Sequence, residues 1–432
     1  MLKSFFKKAS SVPAIPSTNE AHIAKCKQYV CQNYGSYPAV MEKGERIYMW
    51  DVEGKKYMDF MSGYGSTNQG HCHPEIKKAA IEQMEKITQI SRAYHNVEMG
   101  KFGEMISNLS GYDKFFPSNG GCEACETAVK FARRWGYRVK GVEADKAEII
   151  MANENFWGRS ITASGACNDP SRYTDFGPFT PGFPLVDYNN LEAIEKRLQS
   201  SPNAVGVYLE PIQGEGGILM PDNGYLAKVK ALCKKYNVLL IADEVQTGFG
   251  RTGYMFGYEH DMGKDDKPDI LVFAKSASGG FYPVSGILAD AHIMDLIKAG
   301  EHGSTFGGNP LGMAIAKRAV EVIVEEKMVE NSAKMGEYLL SKTKTLSSPL
   351  LQEVRGRGLF QGIEVKAGLH VDGNDLSKIM FTNGVLTKAT HDLTVRLSPA
   401  LVINKEEIDA AMTIIEKSMV QLEELNEERS KK

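Results

Sequence analysis

Two apolar runs of this chain end on ionisable residues. Val238-Leu-Leu-Ile-Ala-Asp243 closes on a carboxylate followed by Glu244, and Ile270-Leu-Val-Phe-Ala-Lys275 closes on an amine followed by Ser276-Ala-Ser-Gly-Gly280. In open α/β sheets ligands sit beyond the carboxyl ends of the strands, so both groups would face one crevice. A buried lysine is costly unless it loses its charge, pairs with an acid or is used covalently, as in a Schiff base. The same lysine at an exposed strand end would do no chemistry, and this stretch alone leaves both readings open. A third stretch, Pro117-Ser-Asn-Gly-Gly-Cys-Glu-Ala-Cys-Glu126, is a glycine turn that opens a helix. Free N–H groups and the positive end of a helix dipole suit a phosphate dianion, although a plain turn reads the same way. Lysine, carboxylate and phosphate turn together describe a cofactor site better than any of them does singly.

The elements that position these groups follow from periodicity. Between about Tyr112 and Asn309 short apolar runs alternate with amphipathic stretches, the pattern of a parallel sheet covered by helices. Strands are expected at Lys114 to Ser118, Glu148 to Ala152, Ala204 to Glu210, Val238 to Asp243 and Ile270 to Ala274. A helix from near Cys122 would bury Ala124, Ala128, Phe131, Ala132 and Trp135 on one face. From about Glu326 onward a smaller, more charged α/β domain is expected, ending in a polar helix from Lys405. Tyr48 to Phe60, with Asp51-Val-Glu-Gly54 as its turn, reads as a hairpin packed with that C-terminal part.

Composition narrows the function classes. With 432 residues, 42% hydrophobic and 24% charged, the chain is long enough for a large core and more than one domain. Its 51 basic and 54 acidic side chains are interspersed, leaving no electrostatic footprint for nucleic acid or a membrane surface. A small-molecule substrate is therefore expected. No run of about 18 apolar residues is present. Met1 to Thr18 holds Lys3, Lys7 and Lys8 and no acid, which reads as a basic leader or a short organellar presequence. The protein is expected inside a cell, in the cytoplasm or a mitochondrion-type matrix. Seven scattered cysteines argue for a reducing compartment. The pair Cys122 and Cys125 and the run His71-Cys72-His73 lack the second closely spaced pair of a structural zinc site, so no metal is expected.

Further stretches carry a family resemblance. They are Tyr64 with Asn68-Gln-Gly-His-Cys-His-Pro74, Asn155-Phe-Trp-Gly-Arg159, Glu210-Pro-Ile-Gln-Gly-Glu215, Ile241-Ala-Asp-Glu-Val-Gln-Thr-Gly248, Gly303-Ser-Thr-Phe-Gly-Gly-Asn-Pro310 and Val395-Arg-Leu-Ser-Pro399. In this order, over nearly the whole chain, the sequence resembles the class III, fold-type-I pyridoxal-phosphate aminotransferases, within them the branch that uses ornithine. The resemblance implies a large domain with a mostly parallel seven-stranded sheet between helices and a small α/β domain formed by both chain ends. It divides the chain into an arm and hairpin (1–74), a large domain (75–326) and a small domain (327–432).

The same resemblance implies roles. Lys275 would bind pyridoxal 5′-phosphate covalently and shuttle the proton, and Asp243 would pair with the pyridine nitrogen. Phe156 would stack on the ring and Gln246 meet the 3′-oxygen. Gly120, Gly121 and Cys122 would hold the phosphate, with Trp157, Glu210 and Val245 around the cofactor. Ser304 and Thr305 would close the phosphate site of a neighbouring subunit, implying a homodimer with shared active sites. The implied reaction moves the δ-amino group of L-ornithine to 2-oxoglutarate. Arg159 would bind the ornithine α-carboxylate or the distal carboxylate of the keto acid. Arg396 would bind the keto acid's α-carboxylate and be masked by Glu215 in the first half-reaction, with Tyr34 and Tyr64 completing the pocket. Other ω-aminotransferases, on acetylornithine, lysine or 4-aminobutyrate, and an aminomutase remain alternatives.

Three departures from the family pattern stand out. Gly120 replaces a usual threonine, Tyr64 is flanked by Gly63 and Gly65, and Ala277 stands where leucine is more usual. If the smaller residues line the pocket, L-lysine becomes a second substrate, one methylene being worth roughly 1–3 kcal/mol of discrimination.

Overall fold

The computed structural model describes residues 18–263 and 266–432, so the expected basic leader, Thr18 apart, lies outside the described residues. Among the described residues fifteen strands form three sheets. The central sheet has seven: β4 (Lys114–Ser118), β5 (Glu148–Ala152), β6 (Leu185–Val186), β7 (Ala204–Leu209), β8 (Leu239–Asp243), β9 (Ile270–Phe273) and β10 (Ser285–Ala289), in the order β4-β10-β9-β8-β7-β5-β6. All neighbours are parallel except β10, which runs antiparallel to both β4 and β9.

The strands β7, β8 and β9 are buried along their whole length, the result of helices covering both faces. Alternate residues feed two apolar layers. Ile150, Val207, Leu240 and Leu271 enter one, while Ile149, Val205, Leu239 and Ile270 enter the other. The helix Gly121–Trp135 covers the second layer, packing on β9 and β10, and buries the five side chains expected of it.

Two smaller sheets flank this body. One joins β1 (Met41–Glu45), β2 (Tyr48–Asp51) and β3 (Lys56–Asp59) to β13 (Val385–Leu386), through parallel pairing of Met58 with Val385. The expected hairpin is thus in one sheet with a strand from the C-terminal part of the chain. The other has the order β11-β12-β15-β14, from β11 (Leu351–Arg357), β12 (Phe360–Val365), β14 (Ala389–Thr390) and β15 (Thr394–Leu397). The last helix, Lys405–Ser430, is amphipathic rather than polar: Ile408, Met412, Ile415, Met419 and Leu422 are buried at three- and four-residue spacing. Among the described residues no helix is long and apolar enough to cross a membrane.

Arg251, in the loop that follows β8, bolts these parts together. It is fully buried; its Nη1 donates to Leu359 O at 2.9 Å and to Pro399 O, and its Nη2 donates to Asn68 Oδ1. Its own carbonyl accepts from Leu359 N at 3.1 Å and Ser332 Oγ at 3.2 Å. Replacing Arg251 by alanine strands three buried acceptors, so the denaturant midpoint should fall by the equivalent of about 3 kcal/mol. Arg251→Lys should recover only part of it, since one ammonium cannot span the fork.

Candidate active site

A cavity of about 440 Å³ opens at the carboxyl ends of β7, β8 and β9. Glu210 follows β7, Asp243 ends β8, and Lys275 begins the tight turn Lys275–Ser278 just beyond β9. Lys275 has φ +40°, a left-handed conformation costly for a residue with a side chain, and the strain sits where the amine meets the cavity. Burial pulls the Lys275 ammonium below the ordinary lysine range, although Glu215, Asp243 and Glu210 pull the other way. Asp243 is 3% exposed, and burial raises its carboxyl above the usual range. Tyr208 Oη and Val245 N, donating at 2.7 and 3.0 Å, oppose that rise. Glu210 is raised too, by burial and by Asp243, while it accepts from Phe156 N at 3.1 Å and Gly214 N at 3.3 Å.

Of the residues that the motifs single out, Gly120, Gly121, Cys122, Phe156 and Trp157 line this cavity, as do Val245 and Gln246. The helix Gly121–Trp135 starts at its edge. Its N-terminal turn is partly satisfied internally, because Glu123 Oε2 accepts from Asn119 N at 2.8 Å and Gly120 N at 3.2 Å. The Gly120 N–H is thus held by Glu123 of the same chain. Gly121 and Cys122, the first helical residues, keep theirs, since no carbonyl lies one turn earlier. A side chain at Gly120 would meet open space, so threonine would fit there. Close approach does demand glycine at Gly158, where a Cβ would lie 2.2 Å from Cys122 Sγ, and at Gly214, where it would lie 1.8 Å from Gln246 Oε1.

Arg396, on β15, is 4% exposed and ion-paired through Nη1 to Glu215 Oε1, with its guanidinium 4.8 Å from the Tyr64 ring. Burial raises the Glu215 carboxyl, but Arg396 and Lys275 outweigh it and hold the group below the usual range. Arg159 is exposed, makes no salt bridge among the described residues, and lies 5.9 Å from the Phe156 ring. Tyr34 is 60% exposed and does not line the cavity. Ser304 and Thr305 do not line the cavity, yet Ser304 Oγ accepts from Asn119 Nδ2 of the same chain at 2.7 Å, beside the glycine turn.

Sequence reasoning missed several neighbours. Arg172 stacks on Phe156 at 4.9 Å while donating to Asn155 O at 2.8 Å and pairing with Asp169 at 2.9 Å. It lies in a short helix without a motif, so no local signal marked it. Tyr208 sits inside an apolar strand and read as core. Ala277 belongs to the same correction: it is fully buried in the apolar layer and does not line the cavity, so its small size adds no room there. His71 and His73 are hydrogen-bonded to Asp59 and Glu326, and no group of three possible ligands could hold a metal among the described residues.

A mostly parallel, buried sheet whose carboxyl ends bring a desolvated lysine and a buried carboxylate to one cavity, beside a helix N-terminus, is the arrangement of a fold-type-I transferase. The model of the class-III aminotransferases matches residues 29–419, and the chain belongs to that family. An ornithine aminotransferase of Rattus norvegicus, named as mitochondrial, is 46% identical over 94% of this chain and 91% of its own. The solved ornithine aminotransferase of Toxoplasma gondii, with partial occupancy of PLP at its active site, has a TM-score of 0.93 and 40% identity, covering 99% of both chains. The acetylornithine aminotransferase of Elizabethkingia anophelis has a TM-score of 0.84 and 41% identity, covering 93% of this chain and 99% of its own. This protein is an aminotransferase.

The Glu215–Arg396 pair generates a test. A carboxyl whose folded pKa is depressed stabilises the protein above its unfolded pKa and loses that contribution as pH falls through the folded value. Glu215→Gln should therefore cost about 3 kcal/mol at pH 7 by urea denaturation. The difference from wild type should shrink as pH drops below about 4.

Proposed function

We propose that this enzyme moves the δ-amino group of L-ornithine to 2-oxoglutarate, giving glutamate and glutamate 5-semialdehyde, which cyclises to pyrroline-5-carboxylate. One observation carries the reading: of the three arginines near the cavity, Arg396 is masked by Glu215, Arg172 is paired with Asp169, and Arg159 makes no salt bridge among the described residues. A site that takes a diamino acid and a dicarboxylate in turn needs one permanent carboxylate anchor and one that can be hidden. The rat and Toxoplasma relatives carry the name of this activity.

The residues fit pyridoxal 5′-phosphate. A desolvated amine and a buried carboxylate face one cavity, the N–H groups of Gly121 and Cys122 open onto it, and the Phe156 side chain offers a flat wall. When bound, the group supplies a carbonyl that takes up the amine and a ring that delocalises the negative charge of the reacting carbon. Lys275 anchors it and moves the proton at the substrate carbon, a task eased by an amine whose basicity burial has lowered. Asp243 would hold a proton on the ring nitrogen. Phe156 would stack on the ring and Gln246 would meet its 3′-oxygen, with Trp157, Glu210 and Val245 lining the same cavity and Gly120 in the phosphate turn.

For substrate, Arg159 and Tyr34 take the ornithine α-carboxylate end, and Tyr64 flanks Arg396. When the keto acid enters, Glu215 releases Arg396 to its α-carboxylate while Arg159 holds the distal one. The site is completed by a second copy of the chain through Ser304 and Thr305. The segment carrying exposed Ile81, Met84, Ile87, Tyr94 and Val97 supports this, since Gln89 Nε2 in its midst donates to Thr305 O at 2.6 Å. Such a row of exposed apolar side chains suits a subunit contact. The domain division at 74 and 326 and an intracellular setting, cytoplasm or organellar matrix, belong to the same reading.

The test is ornithine labelled with 15N at the δ position, with 2-oxoglutarate as acceptor. Label should appear in glutamate and pyrroline-5-carboxylate should accumulate; retention of label in an isomerised diamino acid would mean an aminomutase. Faster turnover of N-acetylornithine, the substrate named for the Elizabethkingia relative, would replace ornithine in the reading. L-lysine should be the poorer amine, because Ala277 gives the cavity no extra space. Lys275→Ala should lower kcat by about 10³-fold.

A further inference from the structure

Asp243 Oδ2 has two further partners. Tyr208 Oη, from near the carboxyl end of β7, donates to it at 2.7 Å, and Cys125 Sγ, from the second turn of the helix Gly121–Trp135, at 3.6 Å. All three side chains are at most 3% exposed. Tyr208 lies in an apolar layer with Ile149, Met151 and Ile241, where a hydroxyl gains nothing from packing and must find an acceptor. Its ring packs on Trp157 at 5.8 Å, so the phenol has a fixed direction. The Val245 N–H takes Oδ1 at 3.0 Å, which leaves Oδ2 to the two side chains.

We infer that Tyr208 and Cys125 are positioning residues that fix Oδ2 of Asp243 and keep that carboxylate charged, and so set the acid limit of cofactor binding. The inference rests on the reading of Asp243 as partner of the pyridine nitrogen. Burial favours the neutral acid at Asp243, and hydrogen bonds donated to the charged form oppose it. Both donors stay neutral, because burial pushes the Tyr208 phenol and the Cys125 thiol far above their ordinary values. The other ionisable groups facing Asp243 are Lys275, from the turn after β9, which favours its charge, and Glu210, from the end of β7, which opposes it. Cys122 stands one turn before Cys125. Neither carbonyl nor water chemistry is asked of Tyr208 or Cys125; they act only through Asp243.

The experiment measures the affinity of the cofactor-free protein for pyridoxamine 5′-phosphate, which binds without a bond to Lys275, across pH 5 to 9. In Y208F the acid limb of the affinity profile should move up by about one pH unit, roughly tenfold weaker binding at a pH on that limb. C125A should move it in the same direction by less, and keeps the test available if Y208F fails to fold. On a D243N background neither substitution should move the limb. An unmoved limb in Y208F and C125A, with D243N still changing the profile, would overturn the inference and reduce both residues to packing. A profile that D243N leaves untouched would instead remove the reading of Asp243 on which the inference stands.

Discussion

Taking Lys275 out of water is the act on which the rest of the structure depends. An ammonium cannot be buried alone, and three carboxylates act on it: Asp243 at the end of β8, and Glu210 and Glu215 in the loop after β7. They cannot all be charged together either, which is why burial and mutual repulsion lift Asp243 and Glu210 while the neighbouring arginine holds Glu215 down. The sheet makes this possible. Because β7, β8 and β9 are buried throughout between two helical layers, their carboxyl ends deliver polar groups into one cavity.

The smaller sheets contribute charge rather than walls. Arg396 arrives on β15, far along the chain from Glu215; Arg251 and Asn68 fasten the C-terminal part to the loop after β8, and Arg355 and Thr390 bond to the carbonyls of Gly217 and Glu215 beside the pair. A buried ion pair of this kind adds little net stability, since desolvation offsets its attraction. Removing either partner would leave the other charge buried and uncompensated.

Much of this was legible before any coordinates. The strands β4 and β5 and the helix from Gly121 stand where periodicity put them, because apolar runs bounded by turns leave few alternatives. Lys275 and Asp243 announced themselves as charges closing apolar strands. The strand β10 did not: Ser285–Ala289 is short and follows a Gly-Gly turn, and nothing local encodes that it runs antiparallel to its neighbours. Tyr208 was hidden for a different reason. A tyrosine in a buried strand reads as core, and only its distance to Asp243 distinguishes a donor from a filler.

The amino-acid sequence by itself determined which groups can do chemistry and the elements that carry them, because residue type, apolar period and turn composition act over a few neighbouring positions. Tertiary structure alone decided which of those groups meet. The masking of Arg396 by Glu215, the stacking of Arg172 on Phe156, the turning of Ala277 into the core and the capture of the Gly120 N–H by Glu123 are all set by packing and hydrogen-bond geometry. Energies of that kind depend on distances of a few ångströms between side chains, and sequence spacing does not contain them.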